Sequence, residues 1–363
     1  MTDRYDVVVV GGGQAGLAIG YLLTRRGLRL KILDAADSPG AAWSARWDSL
    51  KLFTPVRYNS LPGRPFPGDP NAYPGRDDVV GYVADYARDF ELPVALDSKV
   101  RAVRRGEGGF VAELDDRTYE ADQIVVATGP FQVPNVPAVA ERLDPDVGQF
   151  HSSAYRAPGD VAAGRVLVVG GGNTGFQIAE ELSRTHEVHL SIGARQTPLP
   201  QRIAGRDLFR YLQATGLMNK TADSRIGQRM QDRETLIGSS PRAARRGGIR
   251  ILGRTVDVSG PDVTFSDGAQ LHPTTVVWAT GFGLDHSWID APIFDARGHL
   301  VHERGVTASP GLYFLGLPWQ HTRGSALLGW VKHDADYLAN RICATATAQR
   351  PGAALLAGTA ARP

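Results

Sequence analysis

The sequence predicts an α/β fold whose architecture occurs twice in one chain, and three repeated features lead to this prediction. A run of apolar residues followed by a glycine-rich loop reads VVVVGGGQAG from Val7 and LVVGGGNTG from Leu167. Each loop precedes an amphipathic segment, which is typical of a buried strand, a turn and a helix. Each half later reaches a strand that ends in Ala-Thr-Gly, at nearly the same spacing from its loop.

The elements between the loop and the Ala-Thr-Gly strand also correspond. The first half continues with three short alternating segments, KVRAVRR, GFVAELDD and TYEAD, followed by IVVATGP. The second half continues with IRILGRTVDVSG, DVTFSDG and AQLHP, followed by VVWATGF. We therefore expect two Rossmann-like dinucleotide-binding domains, each with a small antiparallel meander. The expected first domain comprises residues 1–155 and 285–363, and the inserted second domain comprises residues 156–284.

The glycine spacing indicates how each loop would bind a dinucleotide. The first glycine of the motif allows a tight turn, the second lets a pyrophosphate approach the backbone, and the third lets the helix pack against the strand. These glycines are Gly11, Gly13 and Gly16 in the first loop, and Gly170, Gly172 and Gly175 in the second. One such motif is weak evidence, whereas two in the context of strand and helix favour two bound dinucleotides.

The end of the second strand in each half indicates which dinucleotide is bound. In the first half Asp34 ends LRLKILD, where a carboxylate can accept hydrogen bonds from ribose hydroxyls, and this favours FAD. In the second half the same offset falls on Gly193, and Arg195 follows shortly after. A missing acid and a nearby guanidinium suit a 2′-phosphate and favour NADPH, with Ser191 and Gln196 able to share the contact. Taken alone, an arginine such as Arg195 is more often just a solvated charge, and it is the missing acid that favours NADPH.

Composition excludes several classes of function. The 363 residues contain 40 Lys plus Arg and 38 Asp plus Glu, a formal net charge of +2. This balance gives no electrostatic reason to expect nucleic acid or an anionic membrane as a partner. A single cysteine, Cys343, excludes a dithiol redox pair and a multi-cysteine metal site, and no metal is expected. We expect a cytoplasmic protein, since the sequence shows neither a signal-like apolar segment at its start nor an apolar run of membrane-spanning length. A homodimer is left open.

The sequence resembles the flavin-containing monooxygenases, particularly short bacterial members, over nearly the whole chain. The motifs that carry the resemblance are GGGQAG, SPGAAW, RWDSLKLFTP, the two ATG strands, GGGNTG and HSSAY. The family fingerprint fits at His151 and Tyr155 but departs at Pro145 and Val147. The resemblance implies a monooxygenase that uses FAD, NADPH and O2 to oxygenate a small soft nitrogen or sulfur nucleophile, or a ketone, through a C4a-hydroperoxyflavin.

The resemblance and the motifs together give a set of candidate site residues. No catalytic residue is assigned firmly, and the flavin-face candidates are Phe53 and Gln320. The expected FAD contacts, with Trp43 packing along the cofactor, are Gly11, Gly13, Gln14, Ala15, Gly16, Asp34, Trp43, Val100, Thr128, Gly129, Gly316, Ser325 and Leu327. The expected NADPH contacts are Gly170, Gly172, Asn173, Thr174, Gly175, Ser191, Arg195, Gln196, Thr280 and Gly281.

Alternatives remain because Phe53 stands where eukaryotic-type members carry an asparagine beside the flavin. The loss of an amide donor favours an NADPH-dependent flavin reductase or oxidase without oxygen insertion as the second reading. A non-enzymatic NADPH-sensing module is the third.

Three further segments carry expectations. GSALLGWVKHDADYLANRI predicts a helix that starts near Ser325, whose dipole would stabilise reduced flavin. The arginine-rich region 196–248 predicts a helical lid or partner surface, and the low-complexity tail predicts little order.

Overall fold

The structure is a computed structural model that describes residues 4–231 and 234–349. Its helices are α1 (Gln14–Arg25), α2 (Ala41–Ser44), α3 (Arg76–Asp89), α4 (Asn173–Leu182), α5 (Leu208–Ala214), α6 (Arg225–Gln231), α7 (Pro241–Arg246) and α8 (Val331–Gln349). Its strands are β1 (Arg4–Val10), β2 (Leu30–Leu33), β3 (Val94–Ala95), β4 (Ala102–Gly106), β5 (Gly109–Glu113), β6 (Thr118–Val126), β7 (Val133–Pro134), β8 (Gly148–His151), β9 (Arg165–Val169), β10 (Glu187–Ser191), β11 (Gln196–Leu199), β12 (Arg202–Ile203), β13 (Arg206–Asp207), β14 (Glu234–Ile237), β15 (Arg250–Leu252), β16 (Thr255–Ser259), β17 (Asp262–Phe265), β18 (Gln270–Leu271), β19 (Thr275–Trp278), β20 (Phe282–Gly283), β21 (Ile289–Asp290), β22 (His302–Glu303), β23 (Val306–Thr307) and β24 (Leu312–Phe314).

The larger sheet has a parallel centre in the order β3-β2-β1-β6-β24. Val7, Val8 and Val9 of β1 have no exposed surface, so the valine run is buried on both faces as its composition predicts. Helices α1 and α8 pack together against one face of this sheet. Strands β4 and β5 and the beginning of β6 form an antiparallel meander at the edge.

The smaller sheet has five parallel strands in the order β15-β10-β9-β19-β8, and the three-stranded meander β16-β17-β18 accompanies it. The predicted fold class, two Rossmann-like units each with a meander, is therefore confirmed.

Two details differ from the expected segments. TYEAD and the IVV that precedes the first Ala-Thr-Gly form one strand, β6, because no turn residue separates them and β1 pairs along nearly its whole length. The residues of β15 join the parallel sheet, and the second meander starts only after the break at Gly253.

The two expected domains are connected by paired crossing segments. Strand β7 pairs antiparallel with β20, where the chain passes between the halves. Strand β8 pairs with β19 in the smaller sheet, and β21 pairs with β4 in the larger sheet. The division at residues 155 and 285 stays a prediction, and β8 lies in the smaller sheet although it precedes residue 155.

The region 196–248 is mixed rather than purely helical. It contains the parallel pair β11 and β14, the two-residue pair β12 and β13, and the helices α5, α6 and α7. Its role as a lid or partner surface stays a prediction.

The predicted start of the C-terminal helix near Ser325 is wrong, because α8 begins at Val331. Residues 322–330 form successive turns, with Ser325 N bonded to Thr322 O and Leu327 N to Gly324 O. Within these turns, Gly329 lies so close to Tyr58 that a Cβ would overlap the Tyr58 carbonyl oxygen, so only glycine fits at this position. The low-complexity tail that was predicted to have little order begins at Ala344, and this prediction is wrong for residues 344–349, which form the end of α8. The rest of the tail, from residue 350 onward, lies outside the described residues. Among the helices of the described residues, none has the length and apolar character needed to cross a membrane.

Candidate functional site

The first glycine loop has the geometry that its motif predicts. Gly11 has a φ of 109° and lies against the end of β6, where a Cβ would come 2.5 Å from the Ala127 carbonyl oxygen. At Gly16 a Cβ would overlap the carbonyl oxygen of Gly11, so this glycine allows α1 to pack on β1. A Cβ on Gly13 would meet nothing within 4 Å, which leaves open space over the first turn of α1. The loop thus offers a backbone cradle that fits a pyrophosphate.

Asp34 is fixed beside this cradle by two backbone amides. Its Oδ2 accepts a hydrogen bond from Gly12 N at 2.6 Å, and its Oδ1 accepts one from Ala36 N at 2.9 Å. A carboxylate can accept about four hydrogen bonds, so acceptor capacity remains for two ribose hydroxyls.

The C-terminal segment 316–327 lies against the start of α1. Gln14 Nε2 donates to Ala326 O at 2.9 Å, and a Cβ on Gly316 would come 2.9 Å from the Ala15 Cβ. Ser325 is buried, and its Oγ accepts hydrogen bonds from the backbone N–H groups of residues 321 and 322. The structure therefore brings together the expected FAD contacts from both ends of the sequence.

The remaining first-half candidates lie in or near the same core. Trp43 packs half-buried against the cluster that contains α1 and α8, and Val100 packs against the other face of the sheet. Gln132 Nε2 donates to Thr128 Oγ1 at 3.0 Å and to Gly129 O at 2.9 Å, which stabilises the turn after β6. Their contacts to FAD stay predictions.

The second glycine loop repeats this geometry. Gly170 has a φ of 133° and lies against Ala279, and a Cβ on Gly175 would overlap the Gly170 carbonyl oxygen. Gly172 directly precedes α4, and Thr174 lies in the first turn. Asn173 bonds to β14 instead of pointing freely outward: its Nδ2 donates to Thr235 O and its Oδ1 accepts from Ile237 N, each at 3.0 Å.

Gln196 has an unpaired donor beside the second loop. Its buried Nε2 has no hydrogen-bond partner among the described residues, and it lies next to Gly171, where a Cβ would overlap it. A buried amide donor without a partner costs about 1 to 3 kcal/mol, so this site fits a ligand that supplies an acceptor, such as a phosphate oxygen.

In the second half the position that corresponds to Asp34 is Gly193, and a positive charge, that of Arg254, lies beside it. Arg254 Nη2 donates to Gly193 O at 3.1 Å, and a Cβ on Gly193 would come 3.0 Å from Arg254 Nε. Arg195 is exposed. Ser191 is buried, with its Oγ donating to Gly253 O at 2.8 Å and accepting from Thr255 N, so these bonds give it a structural role.

Sequence reasoning missed Arg254. It follows β15, which lies directly beside β10 in the sheet, so the carboxyl ends of both strands meet at one edge. The available signal was this neighbouring position, because parallel strands of one sheet deliver their following loops to the same place.

The two flavin-face candidates, Phe53 and Gln320, both contact other residues of the protein. The Phe53 ring stacks on the Phe209 ring with 5.9 Å between centroids and 9° between planes. Gln320 is buried, with Nε2 donating to Phe314 O and Oε1 accepting from Leu317 N. The nearby Asn59 amide donates to Thr54 O and Pro55 O. Both N–H groups of the Asn59 amide are therefore used, whereas Gln320 Nε2 uses one of its two in the bond to Phe314 O.

His151 and Tyr155 hold β8 in place. His151 Nε2 bonds to Gly281 O at 2.9 Å, and its Nδ1 accepts from Ser153 N at 3.1 Å. These bonds require a neutral ring, and burial together with the charge of Arg46 lowers the pKa of His151 in agreement. Tyr155 Oη donates to Glu181 at 2.8 Å. The second Ala-Thr-Gly turn is further fixed by Thr280, whose hydroxyl donates to the Asn135 carbonyl.

The profile of the pyridine nucleotide-disulphide oxidoreductase family matches residues 8–202, more than half of the chain. The chain belongs to this family. It is an oxidoreductase, as the sequence predicted, and its single cysteine separates it from the dithiol members implied by the family's description.

Relatives and solved structures narrow the similarity within the pyridine nucleotide-disulphide oxidoreductases. The uncharacterized oxidoreductase CzcO-like of Geobacillus kaustophilus is 44% identical over 345 residues, which cover 94% of this chain and 99% of the relative. The uncharacterized oxidoreductase CzcO of Bacillus subtilis is 36% identical over 341 residues, covering 93% and 99%. The flavin-containing monooxygenase from Stenotrophomonas maltophilia is 30% identical with a TM-score of 0.80, covering 95% of this chain and 100% of that one. The expected resemblance to flavin-containing monooxygenases is confirmed.

Proposed function

We propose that the chain is an FAD- and NADPH-dependent monooxygenase that transfers one oxygen atom of O2 to a small soft nitrogen or sulfur nucleophile, or to a ketone. One observation carries the proposal: two glycine cradles of like geometry are followed by opposite charges, a carboxylate at Asp34 and a guanidinium at Arg254 beside Gly193. Such a pair suits two different dinucleotides. The similarity to the Stenotrophomonas maltophilia enzyme supports the reaction class.

The residues divide the work of binding. The first loop and the start of α1 would receive the FAD pyrophosphate, and Asp34 the ribose. The second loop, Gln196 and Arg254 would receive NADPH. When bound, FAD supplies the redox chemistry, accepting a hydride from NADPH and activating O2. The stacked rings of Phe53 and Phe209 would limit access of water to the reacting face.

A second function is favoured by a specific observation. Phe53 offers no amide, and the amide of Asn59 is committed to the backbone. An NADPH-dependent reductase or oxidase that releases hydrogen peroxide would need no such donor. A cytoplasmic location and self-association stay predictions for either function.

Rapid mixing of the NADPH-reduced protein with O2 distinguishes these functions. For a monooxygenase we expect flavin reoxidation in two spectral phases, with the second accelerated by an acceptable sulfide, amine or ketone and matched by oxygenated product. Single-phase reoxidation with stoichiometric hydrogen peroxide, and no oxygenated product, would replace the proposal with the oxidase reading.

A further inference from the structure

A cavity of about 840 Å³ lies between the inserted region 196–248 and the C-terminal turns. Its walls are mainly apolar and include Leu199, Leu208, Leu212, Leu217 and Ile237. The volume lies within the range of about 300 to 1,000 Å³ that is typical of small-molecule sites.

Arg323 lines this cavity, and none of the residues whose side chains the structure describes supplies a counter-charge. The side chain is half-buried, and it makes no hydrogen bond or ion pair with any residue that the structure describes. Desolvation alone lowers its pKa, with no described carboxylate acting against it. By contrast, Arg304 bonds to Asp334 at 2.8 Å, and Arg26 bonds to Asp336 at 2.8 Å. A guanidinium partly withdrawn from water without a partner among the described residues is unfavourable, so this position fits an anion from outside.

The cavity is flanked by segments attached to both glycine-loop helices. Thr235 and Ile237 line it, and both are bonded to Asn173 at the start of α4. On the other side, Ala326, in the same turns as Arg323, accepts the hydrogen bond from Gln14 at the start of α1. Leu208, also in the wall, neighbours Phe209, which stacks on Phe53. A ligand here would therefore lie next to segments that are bonded to both glycine-loop helices.

We propose that this cavity binds the substrate, and that the substrate is an organic carboxylic acid with an apolar body whose carboxylate pairs with Arg323. The planar guanidinium matches a carboxylate with two parallel hydrogen bonds, and the leucine-rich walls match an aryl or alkyl body. The exposed Arg229 at the same cavity adds a second positive charge that attracts anions and repels amines in their charged form. The identification of this ligand as substrate rests on the proposed function, whereas its binding does not.

The test uses the FAD-loaded oxidised protein without NADPH, so that nothing turns over. Isothermal titration compares para-(methylthio)phenylacetate with its neutral primary amide. We expect the acid to bind about tenfold to a hundredfold more tightly than the amide, the range of one charge-assisted pair. Arg323→Met should abolish this preference while retaining volume, and Arg323→Lys should keep part of it. Leu212→Trp, which places a larger side chain in the cavity, should weaken the binding of both ligands.

Arg225→Ala is the matched control, since it removes an exposed charge from α6 outside the cavity lining. It should leave both affinities unchanged. Equal binding of acid and amide, no binding of either, or a preference that survives Arg323→Met would overturn the site.

Turnover then separates the two proposals. Arg323-dependent binding of the acid without any sulfoxide formation would leave the site standing and remove the proposed function. Oxygenation of acid and amide with equal KM would support the proposed function and overturn the carboxylate site at Arg323.

Discussion

The two glycine loops share their turns, their glycine positions and their helix packing, yet they differ at one position downstream. The first half has Asp34 bonded to the loop amide of Gly12 at 2.6 Å, and the second half has Gly193 beneath the guanidinium of Arg254. The comparison teaches that the repeated scaffold fits the pyrophosphate, which both expected dinucleotides would contain. The charge beside the end of the second strand would provide for the part in which they differ.

The halves also differ in what holds their loops. The helix of the first loop is bonded to the C-terminal turns through Gln14, and the helix of the second is bonded to β14 through Asn173. Each cofactor site therefore depends on a segment that is distant in sequence.

The largest expected effect is on FAD binding, and it distinguishes the first glycine loop from the second. Gly13→Val places a branched side chain into the open space over α1, so it should weaken FAD binding by about a hundredfold through loss of phosphate hydrogen bonds. Flavin occupancy after dialysis measures this. Gly172→Val in the second loop is the counterpart, and it should retain its flavin while losing NADPH affinity. Full flavin occupancy in Gly13→Val would show that the first loop is not the FAD site.

A smaller effect is expected at the nicotinamide cofactor. Arg254→Ala should raise the KM for NADPH by about tenfold and leave that for NADH nearly unchanged, because a charge-assisted bond to an exposed phosphate lies at the lower end of about 1.5 to 3 kcal/mol. Arg195→Ala should have the weaker effect, since both side chains are exposed but Arg254 is already bonded at Gly193. Both KM values are measured for each variant at one ionic strength. Equal losses for NADH and NADPH would assign the arginine to the fold instead.

The smallest expected effect concerns pH. An amide, Gln132, bonds the first Ala-Thr-Gly turn, whereas an imidazole, His151, bonds the second. Because burial lowers the pKa of His151, its contribution to stability is complete above the unfolded value of about 6.5 and is lost as the pH falls below it. His151→Gln should reduce the slope of unfolding free energy against pH in this window by less than about 1.4 kcal/mol per pH unit, the value for one proton.

Urea unfolding at several pH values measures the slope, with the exposed His299→Gln as control. An unchanged slope in His151→Gln would mean that protonation of this ring is not coupled to unfolding.

The sequence predicted what depends on local pattern. Two glycine loops, Asp34 and both Ala-Thr-Gly turns could be placed because strand, turn and helix have short-range signatures. The start of α8 was wrong because Gly324 and Gly329 adapt to Trp330 and Tyr58, contacts that no local pattern encodes. Arg254 and Arg323 were missed for a related reason: each acquires its meaning from a neighbour brought close by folding, Gly193 in one case and the cavity wall in the other.

The pairing of α1 with α8 has a consequence for the order in which the chain folds on the ribosome. Every strand of the smaller sheet has been synthesised once Trp278 is made, whereas β24 and α8 follow only with residues 312–349. Until then the apolar face formed by Leu17 and Ile19 lacks Leu338 and Ile342, which complete the same cluster. The nascent chain therefore carries a complete second unit and an incomplete first one, with an apolar surface exposed for roughly 4 to 14 s while the remaining residues are synthesised at about 5 to 20 residues per second. Chaperone dependence during synthesis should be concentrated in the first half.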